Sequence, residues 1–314
     1  MKHREIRALH ARLALSVLLL ALPVVAGSEA PAAEPRPVGD EAYTVLKAFF
    51  DYDASIPLEA RVVERTERDN AVRRKIVFRS SRGFLVPAYI EIPKEGQAPH
   101  PCVLLLHGWS GSKENWWEDG SYVSGGKVRK ALLKKGYAVF ALDAQGHGDR
   151  IAENDYQVVN TYNEPDAPPR KNYFTLREIV VQTVIDYRRG IDYLETRGDI
   201  DVTRLALLGY SMGGNQSFSL TAVEPRIKVT VGCAVPATFN TDTVLSSVNY
   251  ARGIGDRPFL MLMGRADPMC TEEQARQLYT LIEGENTGLI FYNAEHKLPT
   301  EYVNDAVSWV RKHL

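Results

Sequence analysis

The sequence predicts an α/β fold: a mostly parallel, eight-stranded sheet with helices on both faces. Three observations carry this. Strand-like and helix-like segments alternate over most of the chain, the signature of parallel strands joined through helices. The strand candidates are short apolar or β-branched runs without strict alternation, as expected where both faces of a sheet are covered. The first candidates follow one another without a helix between them, which gives the sheet an antiparallel start. Right-handed crossovers then distribute the helices over both faces.

In chain order the predicted strands are Lys75–Arg79, Leu85–Ile92, Cys102–His107, Ala138–Asp143, Leu205–Gly209, Lys228–Cys233, Phe259–Gly264 and Gly288–Tyr292. A short helix is expected over Glu41–Phe50, ahead of the sheet. The others fall between or after the strands, at Lys127–Lys135, Phe174–Arg197, Met212–Val223, Glu272–Ile282 and Thr300–Lys312. The longest runs through Ile179, Thr183, Asp186 and Gly190, and Ile191 and Leu194 close its buried stripe. Two connections lack any period: Gly146–Asn172, rich in Asn, Asp and Pro, and Ala234–Asp256. Both leave the carboxyl ends of strands, where open α/β sheets place their sites, so substrate choice is expected to lie in them.

The start of the chain reads differently. Lys2, Arg4, Arg7 and Arg12 precede an apolar run, Leu13–Ala26, and Val24 and Ala26 supply small residues ahead of a cleavage point. That run is short for a membrane span, which needs about 20 residues. Residues 1–26 are expected to be a signal peptide cleaved after Ala26, with an uncleaved anchor as the alternative. Residues 27–40 form a Pro- and Ala-rich lead-in, and residues 41–314 one folded domain. The expected compartment is secreted or periplasmic, with no stable membrane span in the mature chain.

The 314 residues are 45% hydrophobic and 25% charged, ordinary for a globular protein. A formal net charge of −1 offers nothing to attract nucleic acid. Cys102, Cys233 and Cys270 are an odd set, so at least one thiol stays unpaired in a monomer. Cys102 and Cys233 sit in apolar runs and read as small buried hydrophobes. No CxxC or Cys/His pattern with metal spacing occurs, so a structural zinc site is not expected.

The strongest chemical signal is Gly209-Tyr210-Ser211-Met212-Gly213, with Gly214 next. It follows the apolar strand Leu205–Leu208 and precedes a helix, the context of a nucleophile elbow. Glycines flank the turn because the backbone is too crowded there for side chains. A serine at that helix N-terminus would meet a partial positive charge favourable to a developing oxyanion.

Serine needs a base. His3 and His10 lie in the signal segment, His313 stands one residue from the end, and His100 precedes a proline. His107 and His147 precede Ser211, each just after an early strand. Only His296 follows the last strand, in the loop before the final helix, as the order Ser…Asp…His requires. Asp267, just past the strand Phe259–Gly264, can accept the imidazole Nδ1–H. A turn-forming Asp is the plainer alternative there. Glu272 and Glu273 read instead as first-turn helix acids. Of the two oxyanion donors, one is expected at the Met212 N–H, and the other at Trp109 in the loop His107-Gly108-Trp109-Ser110-Gly111. His107 is expected to be a structural hydrogen-bonding group beneath that loop. Trp109, Trp116 and Trp117 could form a substrate wall or pack under the loop. Asp143, His147 and Asp149 hint at a metal.

The run His107–Glu114, then Asp143-Ala144-Gln145-Gly146-His147-Gly148, then the elbow, resembles the α/β-hydrolase superfamily. The pattern is most similar to dienelactone-hydrolase-like and acetyl-xylan-esterase-like members, with prolyl-oligopeptidase catalytic domains as relatives. The likeness covers roughly Lys75 to the C-terminus. It implies that Ser211, Asp267 and His296 form a catalytic triad, that Trp109 and Met212 line an oxyanion hole, and that Asp143 and its neighbours are a structural turn. There are two departures. No propeller precedes the domain, unlike oligopeptidases of that branch, and Ser211 stands where true dienelactone hydrolases carry cysteine. The expected activity is hydrolysis of a small-molecule or glycan carboxylic ester, with no cofactor. An exported peptidase or amidase, and a catalytically silent binding protein, are the alternatives.

Overall fold

The computed structural model describes residues 34–154 and 174–314. The predicted signal peptide and residues 27–33 of the lead-in lie outside the described residues, as does much of the connection Gly146–Asn172. Residues Pro35–Leu314 form a compact unit. No helix among the described residues is long and apolar enough to cross a membrane.

The strands are β1 (Arg61–Glu67), β2 (Ala71–Arg79), β3 (Leu85–Pro93), β4 (His100–Leu106), β5 (Ala138–Leu142), β6 (Ile200–Tyr210), β7 (Ile227–Cys233), β8 (Phe259–Gly264) and β9 (Thr287–Tyr292). The helices are α1 (Asp40–Ala48), α2 (Gly125–Lys134), α3 (Leu176–Glu195), α4 (Met212–Val223), α5 (Ser247–Ala251), α6 (Glu272–Tyr279) and α7 (Tyr302–His313). The nine strands lie in the order β1-β2-β3-β5-β4-β6-β7-β8-β9. β1, β2 and β3 pair antiparallel, as do β3 and β5, and every later pair is parallel.

The eight predicted strands are all present, and β1 makes a ninth. Its sequence, RVVERTE, has no apolar alternation because the strand is exposed on nearly every residue. It is an edge strand whose charges discourage further pairing, with Arg73 reaching Glu64 at 3.1 Å. β6 starts at Ile200, earlier than its apolar run, because Ile200 pairs with His100 across a register shift. α5 lies within the stretch Ala234–Asp256, which was expected to be irregular.

Alternation within each parallel strand sorts the core onto two faces. Leu104 and Leu106 of β4, with Leu205 and Leu207 of β6, face Val184 and Ile191 of α3 and Phe218 of α4. Val103, Leu105, Ala206 and Leu208 face the opposite side, against Val128 and Leu132 of α2 and Tyr302 and Val310 of α7. Burying one such Leu or Val side chain is worth about 1.5–3 kcal/mol, so the strands framing the site are among the most firmly held elements. Cys102, Cys233 and Cys270 are buried and unpaired. Burial pushes all three thiols upward, which keeps them protonated.

After β4 the chain turns to β5 on one side, then returns past β4 to β6 on the other. That reversal opens a crevice at the carboxyl ends of β4 and β6, the general position of sites in open α/β sheets.

Candidate active site

Ser211 occupies the turn from β6 into α4 with φ 57° and ψ −116°, a conformation that L side chains avoid and that elbows of this kind impose. The crowding is severe. A Cβ on Gly209 would fall 2.1 Å from the Gly213 carbonyl oxygen, and one on Gly213 would fall 2.4 Å from that of Leu106. These are the contacts that exclude side chains on either side of the serine.

The structure brings Ser211, His296 and Asp267 together from three loops. Ser211 Oγ donates to His296 Nε2 at 2.7 Å, and His296 Nδ1 donates to Asp267 Oδ2 at 2.8 Å. The other Asp267 oxygen accepts the Met269 N–H at 2.8 Å. Asp267 is buried, whereas the imidazole keeps partial access to solvent. Glu272 is engaged elsewhere, by Arg265 and Arg276 at 2.5 Å each, and so leaves Asp267 as the carboxylate at the histidine.

Tyr210, one residue before the nucleophile, was not singled out by sequence. Its hydroxyl accepts the Leu298 N–H at 2.8 Å and donates to the His296 carbonyl at 2.9 Å. It thereby anchors the histidine loop directly to the elbow strand. No local signal announces a contact spanning more than 80 residues of chain.

Met212 is the first residue of α4, where N–H groups lack intrahelical partners. Trp109 follows Gly108, and a Cβ on Gly108 would stand 3.1 Å from Ser211 Cβ, so the loop passes directly beside the nucleophile. Among the described residues neither the Trp109 nor the Met212 N–H has a hydrogen-bond partner.

The loop after β4 is pinned from below. His107 Nδ1 donates to the Gly108 carbonyl at 2.8 Å, and Nε2 accepts the Ala144 N–H at 3.0 Å. Asp143 accepts the Lys113 N–H and Lys113 Nζ at 2.8 Å each, and the Asp149 N–H at 3.0 Å. Lys113 and Asp143 are both fully buried. The acidic residues near His147 therefore form a lysine-centred clamp, and no cluster suited to a metal occurs among the described residues. The tryptophans divide. Trp109 is half exposed and lines the cavity at Ser211, Trp116 is fully buried, and Trp117 donates to the buried Glu91 at 2.5 Å.

Burial pushes His107 down to about 4 from its ordinary 6.5. The unfolded chain therefore binds a proton that the folded chain refuses between those values. The stabilisation is complete above pH 6.5 and is lost as pH falls toward 4, amounting to about 2–3 kcal/mol at pH 4.5. Urea unfolding at pH 7.5 and 4.5 is expected to show a smaller acid-induced loss in His107→Gln than in the unmodified chain. Equal losses would show that this imidazole is not the acid-labile group.

A sequence family described as the alpha/beta hydrolase fold matches residues 101–245. The Bacillus subtilis (strain 168) protein YtaP is 25% identical over 179 residues, 56% of this chain and 56% of that protein. The chain thus spans about half the length of YtaP and about a third of two fungal relatives. Among solved structures, acetyl xylan esterase 1 from Thermoanaerobacterium sp. JW/SL YS485 superposes with a TM-score of 0.67 at 18% identity, covering 89% of this chain and 95% of that one. The acetyl xylan esterase from Paenibacillus sp. R4 superposes with a TM-score of 0.68 at 17% identity, covering 91% and 100%. The resemblance read from the loops and the elbow is borne out at the level of architecture: this chain has the α/β-hydrolase fold.

Proposed function

We propose that the protein is an exported carboxylic-ester hydrolase acting through Ser211, His296 and Asp267. The observation that carries this is the unbroken relay from Ser211 Oγ through His296 to Asp267, at the carboxyl ends of parallel strands. Two backbone donors beside the serine, without partners among the described residues, support it, as does the activity named for the solved acetyl xylan esterases. Small-molecule and glycan esters are the substrate classes in view. Export rests on the basic start and apolar run of residues 1–26.

In the proposed reaction His296 takes the Ser211 proton as Oγ attacks the ester carbonyl carbon. The carbonyl oxygen becomes an oxyanion held by the Trp109 and Met212 N–H groups. Collapse breaks the bond to the alkoxide, which leaves with the proton from His296. Water then attacks the acyl-serine by the same route, releasing the acid and restoring Ser211. Asp267 holds the tautomer that makes Nε2 the base.

A fluorophosphonate probe is expected to label Ser211, and p-nitrophenyl esters are expected to turn over while matched p-nitroanilides do not. Comparable anilide turnover would favour a peptidase. An unlabelled serine in folded protein would favour a silent binding module. Export predicts a mature protein whose mass begins at Gly27.

A further inference from the structure

Ser211 borders a cavity of about 490 Å³. Leu176 and Val180 of α3 line it, together with Pro236, Ala237, Leu245 and Met269. The polar members besides Ser211 are Asn215 and Thr238, which face one another with Asn215 Nδ2 donating to Thr238 Oγ1 at 3.4 Å. None of the described residues lining it is ionisable.

The position of the cavity says which half of an ester it takes. Its wall includes Trp109 and Met212, on the oxyanion side of the serine, and does not include His296. A departing alkoxide must lie beside His296 Nε2 to receive its proton. The half of the substrate that reaches into the cavity is therefore the acyl group.

We infer that Ser211 accepts bulky, uncharged, apolar acyl groups in preference to acetyl, an inference that rests on the ester-hydrolase function proposed above. An acetyl methyl leaves most of this volume unfilled and its apolar walls in water. Each added methylene moves apolar surface out of water, worth about fourfold in kcat/KM while the cavity still has room. A carboxylate on the acyl chain would be stripped of water with no cation among the described wall residues to meet it. The chemistry is unchanged: the Oγ–carbon bond forms, the carbon–alkoxide bond breaks, and His296 carries the proton from serine to alkoxide.

The test uses the full chain with p-nitrophenyl acetate, butyrate and hexanoate, together with mono-p-nitrophenyl succinate and fluorophosphonate labelling of Ser211. Hexanoate is expected to exceed acetate in kcat/KM by at least about tenfold, with succinate below acetate. Leu176→Glu puts a charge on the wall at a half-exposed first helical position that tolerates an acid. It is expected to lower the hexanoate-to-acetate ratio by at least about tenfold, with circular dichroism reporting the fold. Acetate turned over as well as hexanoate by a labelled enzyme would overturn the acyl assignment and leave the ester hydrolase standing. An unchanged ratio in folded Leu176→Glu would overturn it as well. No turnover of any ester and no label on Ser211 would remove the proposed function and the acyl assignment together.

Discussion

Ser211→Ala is expected to lower kcat/KM for p-nitrophenyl esters by about four to six orders of magnitude and to abolish fluorophosphonate labelling. The loss is that large because, in the proposed mechanism, serine, histidine and aspartate act as one unit. Without Oγ there is no acyl-enzyme, and only the oxyanion donors and the binding cavity continue to help. The variant should keep its fold. Alanine removes one hydroxyl, and the positive φ of 57° is as strained for alanine as for serine. Ser211→Gly provides a second readout. φ 57° and ψ −116° match the first central position of a type II′ turn, which glycine favours. The glycine variant should be as inactive as alanine yet melt at a higher temperature. Activity near that of the unmodified chain in either variant would remove Ser211 from the chemistry.

Asp267→Asn is expected to lower kcat by about 10³–10⁴-fold with KM changed little. The effect follows from how the carboxylate is held. One oxygen accepts the Met269 N–H and the other accepts His296 Nδ1–H. In the asparagine variant the amide oxygen must stay with Met269, since two N–H groups cannot face each other. The NH₂ group then points at His296 Nδ1 and forces that nitrogen to accept, which moves the imidazole proton to Nε2. A protonated Nε2 cannot take the Ser211 proton. Binding is left intact because neither atom touches the cavity. A loss confined to KM, or a loss below tenfold, would mean that Asp267 is a turn residue and that the base is oriented by another group.

Much of this fold was legible in sequence because its strands are buried on both faces. Runs such as Leu205–Leu208 and Phe259–Met263 announce themselves by composition. β1 was not legible for the opposite reason: an edge strand that buries almost nothing has no apolar pattern to read. Among the candidate site residues, Ser211 was marked by crowding that only glycine relieves, a local property written in neighbouring residues. His296 and Asp267 were found by chain order after the last strands. Tyr210's brace on the histidine loop, the Lys113 clamp on Asp143 and the pairing of Asn215 with Thr238 had no such marker.

By itself, then, the sequence determined the order of the eight predicted strands and the main helices, the elbow and the three candidate residues of the relay, because periodicity and steric crowding are local. Tertiary structure decided which tryptophan faces the cavity at Ser211 and which two are packed away. It decided that the acids around His147 grip a buried lysine. It also decided that Ser211 borders a cavity whose described walls, among them Leu176, Val180 and Met269, are mostly apolar. Those outcomes depend on which surfaces meet when β4 and β6 come side by side at the sheet's point of reversal, a long-range packing event that residue spacing does not encode.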